Sequence, residues 1–172
     1  MEKLIGGILI LTATCGGGYV YCEDLKSYIA RLRYLRYTMS LIRGEIRYSH
    51  APLTEVLSRV AGRIREPYRQ WLAGTARALS DREESSFSRI WNKCADRYLK
   101  QLRLKEAHSI LLKEAGTFLG SLEADTLDRT LQMYLNRIDL EIEKQREGLS
   151  SRIRIGRCIG VMSGLFLIVI LI

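Results

Sequence analysis

Residues 25–46, LKSYIARLRYLRYTMSLIRGEI, decide the fold. Leu25, Tyr28, Leu32, Leu35, Met39, Ile42 and Ile46 recur at alternating steps of three and four, which lines them along one face of an α-helix. A seam of this length is a core or helix-pairing face, not a ligand groove. No proline occurs before Pro52, so the predicted helix continues upstream without a break, the triplet Gly16–Gly18 being the one place suited to a hinge.

Upstream, Leu4–Tyr21 carries no charge and is rich in glycine. A lipoprotein signal would place Leu three positions before the modified cysteine and a small residue just before it. Cys15 instead follows Thr12, Ala13 and Thr14, and Lys3 is offset by Glu2, so the segment reads as an uncleaved anchor. At the other end, Cys158–Ile172 is also uncharged. Those residues give a helix of roughly 22 Å against about 30 Å of bilayer hydrocarbon; counting from Ile153 closes the gap and leaves Arg154 and Arg157 at the interface. Gly156, Gly160 and Gly164 recur every four residues and line one face for close packing of membrane helices. The expected organisation is a transmembrane helix at 1–21, a helical domain at 22–152 and a second transmembrane helix at 153–172.

Lys26, Arg31, Arg33 and Arg36 follow the first anchor, and Arg137, Lys144, Arg146, Arg152, Arg154 and Arg157 precede or enter the second, against Lys3 alone on the other side. This asymmetry places the middle of the chain in the cytoplasm. The chain has 172 residues and a net charge of +8, and residues 22–157 hold every Lys, Arg, Asp and Glu except Glu2 and Lys3. A solvated, membrane-proximal surface accounts for that excess, with anionic lipid headgroups as one partner. Nucleic acid is not expected, because the basic residues are not interleaved with an aromatic platform or set on a recognition helix.

Nothing in the sequence composes a reaction centre. Of the four cysteines, Cys15 and Cys158 fall in the anchors, Cys22 at a membrane edge and Cys94 alone on a predicted helix, so all are expected as thiols. Neither His50 nor His108 stands in a nucleophile-base relation to Cys94, and no carboxylate cluster has metal-ligand spacing. The glycine triplet lacks the Lys-Ser/Thr ending of a phosphate loop. No catalytic, cofactor-binding or metal-binding residue is assigned.

Pro52 and Pro67 each open a new apolar pattern, as expected of prolines in a first helical turn. The second helix is predicted to bury Leu53, Val56, Leu57, Val60 and Ile64; the third, Tyr68, Trp71, Leu72 and Leu79. After a turn at Ser80–Glu84, Ser85 is placed to cap a fourth helix with Phe87, Ile90, Trp91, Cys94 and Tyr98 inward. The fifth presents Leu104, His108, Leu111 and Ala115 and ends near Gly120. The sixth starts near Asp125 or Thr126, presents Leu131, Leu135, Ile138, Ile142 and Leu149, and runs into the second anchor. The expected fold is all-α, with six helices and a long first and last helix forming an antiparallel pair rooted in the bilayer.

The opening LIGGILIL, the segment GEIRYSHAPLTEVL (Gly44–Leu57), Trp91, the segment EAGTFLGSL (Glu114–Leu122) and the apolar terminus together resemble the stage III sporulation protein AB family, over essentially the whole chain. The resemblance implies a mother-cell membrane protein of endospore-forming bacteria, part of the channel apparatus to the forespore. Its cytoplasmic fold is then similar to the F-type platform domain of type II secretion and type IV pilus systems. The implied partners are the stage III sporulation protein AA ATPase and other channel components, with self-association as a further option. Glu45, Ile46, Tyr48, Pro52, Leu53 and Glu55 fall on the family pattern. The chain departs from that pattern where an aspartate and a glutamine are expected, having Glu123 and Leu127. The rival reading is a membrane-tethered coiled-coil adaptor or receptor, whose 25–46 seam would pair between chains.

Overall fold

A computed structural model describes the backbone of residues 2–49, 51–82, 84, 86–120 and 124–171, and the side chains of 23–49, 51–82, 84, 86–120, 126–148 and 162. Among these residues the fold is entirely helical: α1 (Glu2–Ser49), α2 (Leu53–Ala61), α3 (Tyr68–Ser80), α4 (Phe87–Tyr98), α5 (Glu106–Leu119) and α6 (Ala124–Leu171), with one 3-10 turn, Lys100–Leu102. The chain divides into two compact units, Met1–Leu32 with Leu140–Ile172, and Arg33–Asp139. Both long helices contribute to each. The backbone of α1 is helical through Gly16–Gly18, so the glycines do not break it. Among the described residues no helix is long and apolar enough to cross a membrane. Apart from Met162, the side chains of the expected anchors lie outside them, as do Gly156, Gly160 and Gly164, although the backbone of all three glycines falls in α6.

In the Arg33–Asp139 unit the predicted seams form the core. Leu35, Met39 and Ile42 of α1 are buried, as are Val56, Leu57 and Val60 of α2 and Leu131, Leu135 and Ile138 of α6. Leu53, Leu79, Phe87, Tyr98 and Leu104 are only half-buried. The first four lie within a residue or two of a helix end, and Leu104 precedes α5 altogether, so none has a neighbouring turn on both sides. At the ends of the deciding seam, Leu25 and Ile46 are half-buried. The periodicity also passes over buried polar positions. Thr38 and Thr75 are fully enclosed because each hydroxyl donates to a carbonyl one turn back, Tyr34 at 3.0 Å and Trp71 at 2.8 Å.

The centre of the unit is aromatic. Trp71 of α3 and Trp91 of α4 meet edge to face at 4.4 Å, and the Trp91 indole N–H donates to the Leu112 carbonyl of α5 at 2.9 Å. A Cβ on Gly116 would stand 2.5 Å from the Trp91 ring, and one on Gly120 2.6 Å from Phe87 Cβ. The contacts 87 with 120 and 91 with 116 show that α4 and α5 run in opposite directions. Glycine is required at 116 because only a bare backbone lets α5 approach that ring.

Pro52 and Pro67 each open a helix as expected, but they stand at the N-caps of α2 and α3, one place before the first turn in which the sequence reading put them. The cap of α4 is Ser86, without a side-chain capping bond; the expected cap, Ser85, lies outside the described residues, as does Glu123. Cys94 and His108 are core residues, and Leu127, where a glutamine was expected, is buried.

Candidate interaction surface

The end of α1 and the start of α2 bring the motif residues together. Pro52 cannot donate a backbone hydrogen bond, so it stands naturally outside the first turn, and its carbonyl accepts from the N–H groups of Glu55 and Val56 at 2.9 and 3.1 Å. The hairpin that follows folds α2 back along α1. Glu45, whose side chain is only 13% exposed, accepts from Arg59 at 2.9 Å and from Arg63 at 3.4 Å. Arg59 also donates to Glu55, one turn away on its own helix. The hydrogen bonds that Arg59 donates to Glu45, then to Glu55, raise its guanidinium above its ordinary value. One arginine thus closes the hairpin by holding a carboxylate from each helix.

Glu45 and Glu55 are therefore positioning residues. Ile46 and Leu53 are half-buried and Pro52 is exposed, whereas Tyr48 is 81% exposed, with the Arg47 guanidinium 5.8 Å from its ring centre. At the other end of the hairpin, the Arg65 backbone N–H donates to the Tyr34 hydroxyl at 2.8 Å, and the Arg65 guanidinium lies 4.2 Å over the Tyr34 ring. Tyr34 also packs against Tyr68, centroids 4.8 Å apart. The hairpin is clamped at both ends, which makes Tyr48 an exposed aromatic on a fixed frame.

Sequence reading missed Arg59 and Arg63. The Glu55–Arg59 pair has the spacing of helical neighbours and was readable; Glu45–Arg59 spans a turn and becomes a pair only once α2 folds back. It also missed a second ionic set between α1 and α6. Arg43 donates to both oxygens of Asp128 at 2.7 and 3.1 Å and to Gln132, and Arg36 grips Asp139 at 2.9 and 3.0 Å. The Arg43 hydrogen bonds hold the Asp128 carboxyl below its usual range and raise the guanidinium in turn. These groups are structural: forked arginine–carboxylate pairs that fix register.

Among the described residues these side chains form a polar face, with one exposed tyrosine, on a small all-helical frame. The stage III sporulation protein AB family matches residues 3–172, and the chain belongs to that family. Stage III sporulation protein AB of Bacillus subtilis (strain 168) is 22% identical over 171 residues, covering 99% of each chain. A solved structure of stage III sporulation protein AB aligns with a TM-score of 0.61 at 20% identity, over 70% of this chain and 94% of that one, and shows the same fold.

Proposed function

We propose that the chain is a non-catalytic platform of the channel apparatus between mother cell and forespore, anchored in the mother-cell membrane by residues 1–21 and 153–172. The observation that supports it most is the arrangement of four short helices between two 48-residue helices whose outer ends form a separate unit. That order along the chain suits a helical domain with an anchor helix on each side of it in the sequence. An antiparallel long pair is supported by the ionic rungs: seven residues forward on α1, from Arg36 to Arg43, correspond to eleven back on α6, from Asp139 to Asp128. Gly156, Gly160 and Gly164 then form the face where another membrane helix approaches.

The platform couples the stage III sporulation protein AA ATPase to the channel, and Tyr48 on its clamped hairpin is a contact for that partner. Exposed tyrosine on a rigid mount suits this role, since its amphipathic ring loses little freedom on binding. The adaptor alternative is disfavoured by burial. Leu32, Leu35, Met39 and Ile42 are 0–3% exposed within one chain, leaving that seam no face for a second copy.

Capture of the ATPase by the detergent-solubilised full chain tests the proposal. The expected result is retention that Tyr48→Ala reduces about tenfold while the helical spectrum is unchanged. No retention by the unaltered chain would remove the ATPase-coupling role.

A further inference from the structure

We propose that a basic groove across α3, α4 and the 3-10 turn receives an acidic segment of a partner protein. Arg77 of α3 and Arg97 of α4 border a depression of about 280 Å³, and Arg97, Lys100 and Arg103 border another of about 600 Å³. The two adjoin at Arg97 and Tyr98, and together they are the groove meant here. All four cations are exposed, and the described ion pairs include none of them. One acid, Glu84, lines the first depression together with Lys93, 3.8 Å away, and lies 3.9 Å from Arg89; Asp96 lies outside both depressions, 2.9 Å from Lys113. The groove is therefore a local surplus of positive charge, separate from the Glu45 cluster and independent of the platform reading.

Its floor is built by close packing. A Cβ on Gly74 would lie 2.7 Å from Tyr98 Cε2, so the absence of a side chain at the middle of α3 lets the Tyr98 ring settle onto that helix. Arg103 holds a left-handed backbone, φ 46° and ψ 49°, which glycine would adopt more readily. A cationic side chain stands there despite that preference.

The shape and chemistry select the occupant. A single small anion calls for donors converging in an enclosed pocket, whereas these cations are distributed along an open groove and suit successive carboxylates of a chain. Three of the four are arginines, whose planar forks fit carboxylates in two-point contact. Single-stranded nucleic acid would use an exposed aromatic face for stacking, and the half-buried Tyr98 ring is seated against Gly74. Charge complementarity thus favours a Glu- or Asp-rich protein segment.

The test uses the full chain in nonionic detergent and a fluorescein-labelled decaglutamate peptide, followed by anisotropy at low salt. Arg97→Gln with Arg103→Gln should weaken binding roughly tenfold or more, while the control pair Arg33→Gln with Arg129→Gln, which removes the same charge from exposed sites outside the groove, should change it less than about twofold. Helical spectra establish that both double variants are folded. Equal losses in the two pairs would reduce the effect to net charge, and no loss in the groove pair would remove the site; either result overturns the proposal. The same titrations with a ten-residue oligothymidylate and with phosphatidylserine vesicles decide the class of partner. Loss of either by the groove pair, with the peptide unaffected, assigns the groove to nucleic acid or lipid and overturns it as well.

Discussion

The contact between α4 and α5 and the contact between α1 and α6 hold helices together by different physics. Between α4 and α5 a fully enclosed tryptophan sits against a glycine with no room for a methyl group, its one polar atom bonded to a backbone carbonyl. Between α1 and α6 two arginines reach across to carboxylates at the edge of the core, where the partially exposed side chains meet water. Shape fixes the first contact and will be indifferent to salt and acid. Charge sets the register of the second, so it will respond to both.

The largest test of that contrast is Trp91→Ala. It removes the edge contact with Trp71 and the indole hydrogen bond, and leaves a void between three helices. The expected loss is about 3–5 kcal/mol of unfolding free energy, measured by chemical denaturation followed by circular dichroism. A loss below about 1 kcal/mol would mean that the aromatic centre is not what holds the unit together.

Glycine to alanine gives a sharper test because one substitution should act with opposite signs at two sites. At Gly116 the new methyl group meets a Trp91 ring that cannot withdraw, being packed by Trp71 and Phe87 and tied to Leu112. Overpacking of about 1–3 kcal/mol outweighs the gain of about 1 kcal/mol in helix propensity, and the protein should be destabilised. At Gly44, inside α1, nothing lies within 4 Å of the new group, so only the propensity gain remains. Gly44→Ala should stabilise by about 0.5–1 kcal/mol. The same sign at both positions would refute the close approach of α5 to Trp91.

These two regions also differ in how far the sequence disclosed them. The inner face of α4 was legible because Ile90, Trp91 and Cys94 repeat with the helical period, and burial followed the period. Gly116 was not, since glycine adds no apolar signal and its role exists only through a neighbour on another helix. Pro52 was legible as a helix start because its missing N–H is a local property. Glu45 was recognisable as part of a motif, but its work on Arg59 and Arg63 requires a folded hairpin. Arg43 and Asp128 are 85 positions apart, and no local pattern joins them. Local periodicity discloses which face turns inward; ionic register is settled only by the path of the chain.

Acid should separate the two contacts. Asp128 has its carboxyl depressed in the folded protein by the Arg43 hydrogen bonds. A depressed value means that the stabilisation is present above the unfolded carboxyl value of about 4 and is lost as pH falls through the lower, folded one. Asp128→Asn should therefore cost at most about 1 kcal/mol at neutral pH, the pair being partly solvated, and should flatten the loss of stability below about pH 4. Stability curves from pH 2 to 7 for Asp128→Asn and Gly116→Ala check this. The glycine variant should keep the acid dependence of the unaltered protein, merely displaced to lower stability.

The smallest effect is expected at the other rung. Arg36 and Asp139 make the same forked geometry as Arg43 and Asp128, but their side chains are 38% and 47% exposed against 23% and 27%. Water and salt screen the more exposed pair, and ordering two flexible side chains offsets much of what the contact gains. Arg36→Gln should cost about 0.5 kcal/mol or less at low salt, and the difference should vanish in about 0.5 M sodium chloride. Gln is the appropriate replacement because it keeps two of the three methylenes of the stem and a polar head while removing the charge. A double-mutant cycle with Asp139→Asn separates the coupling from the loss of either group alone. Coupling as large as that measured for Arg43 with Asp128 would show that exposure does not rank the two rungs, and that their energies come from helix register acting on both together.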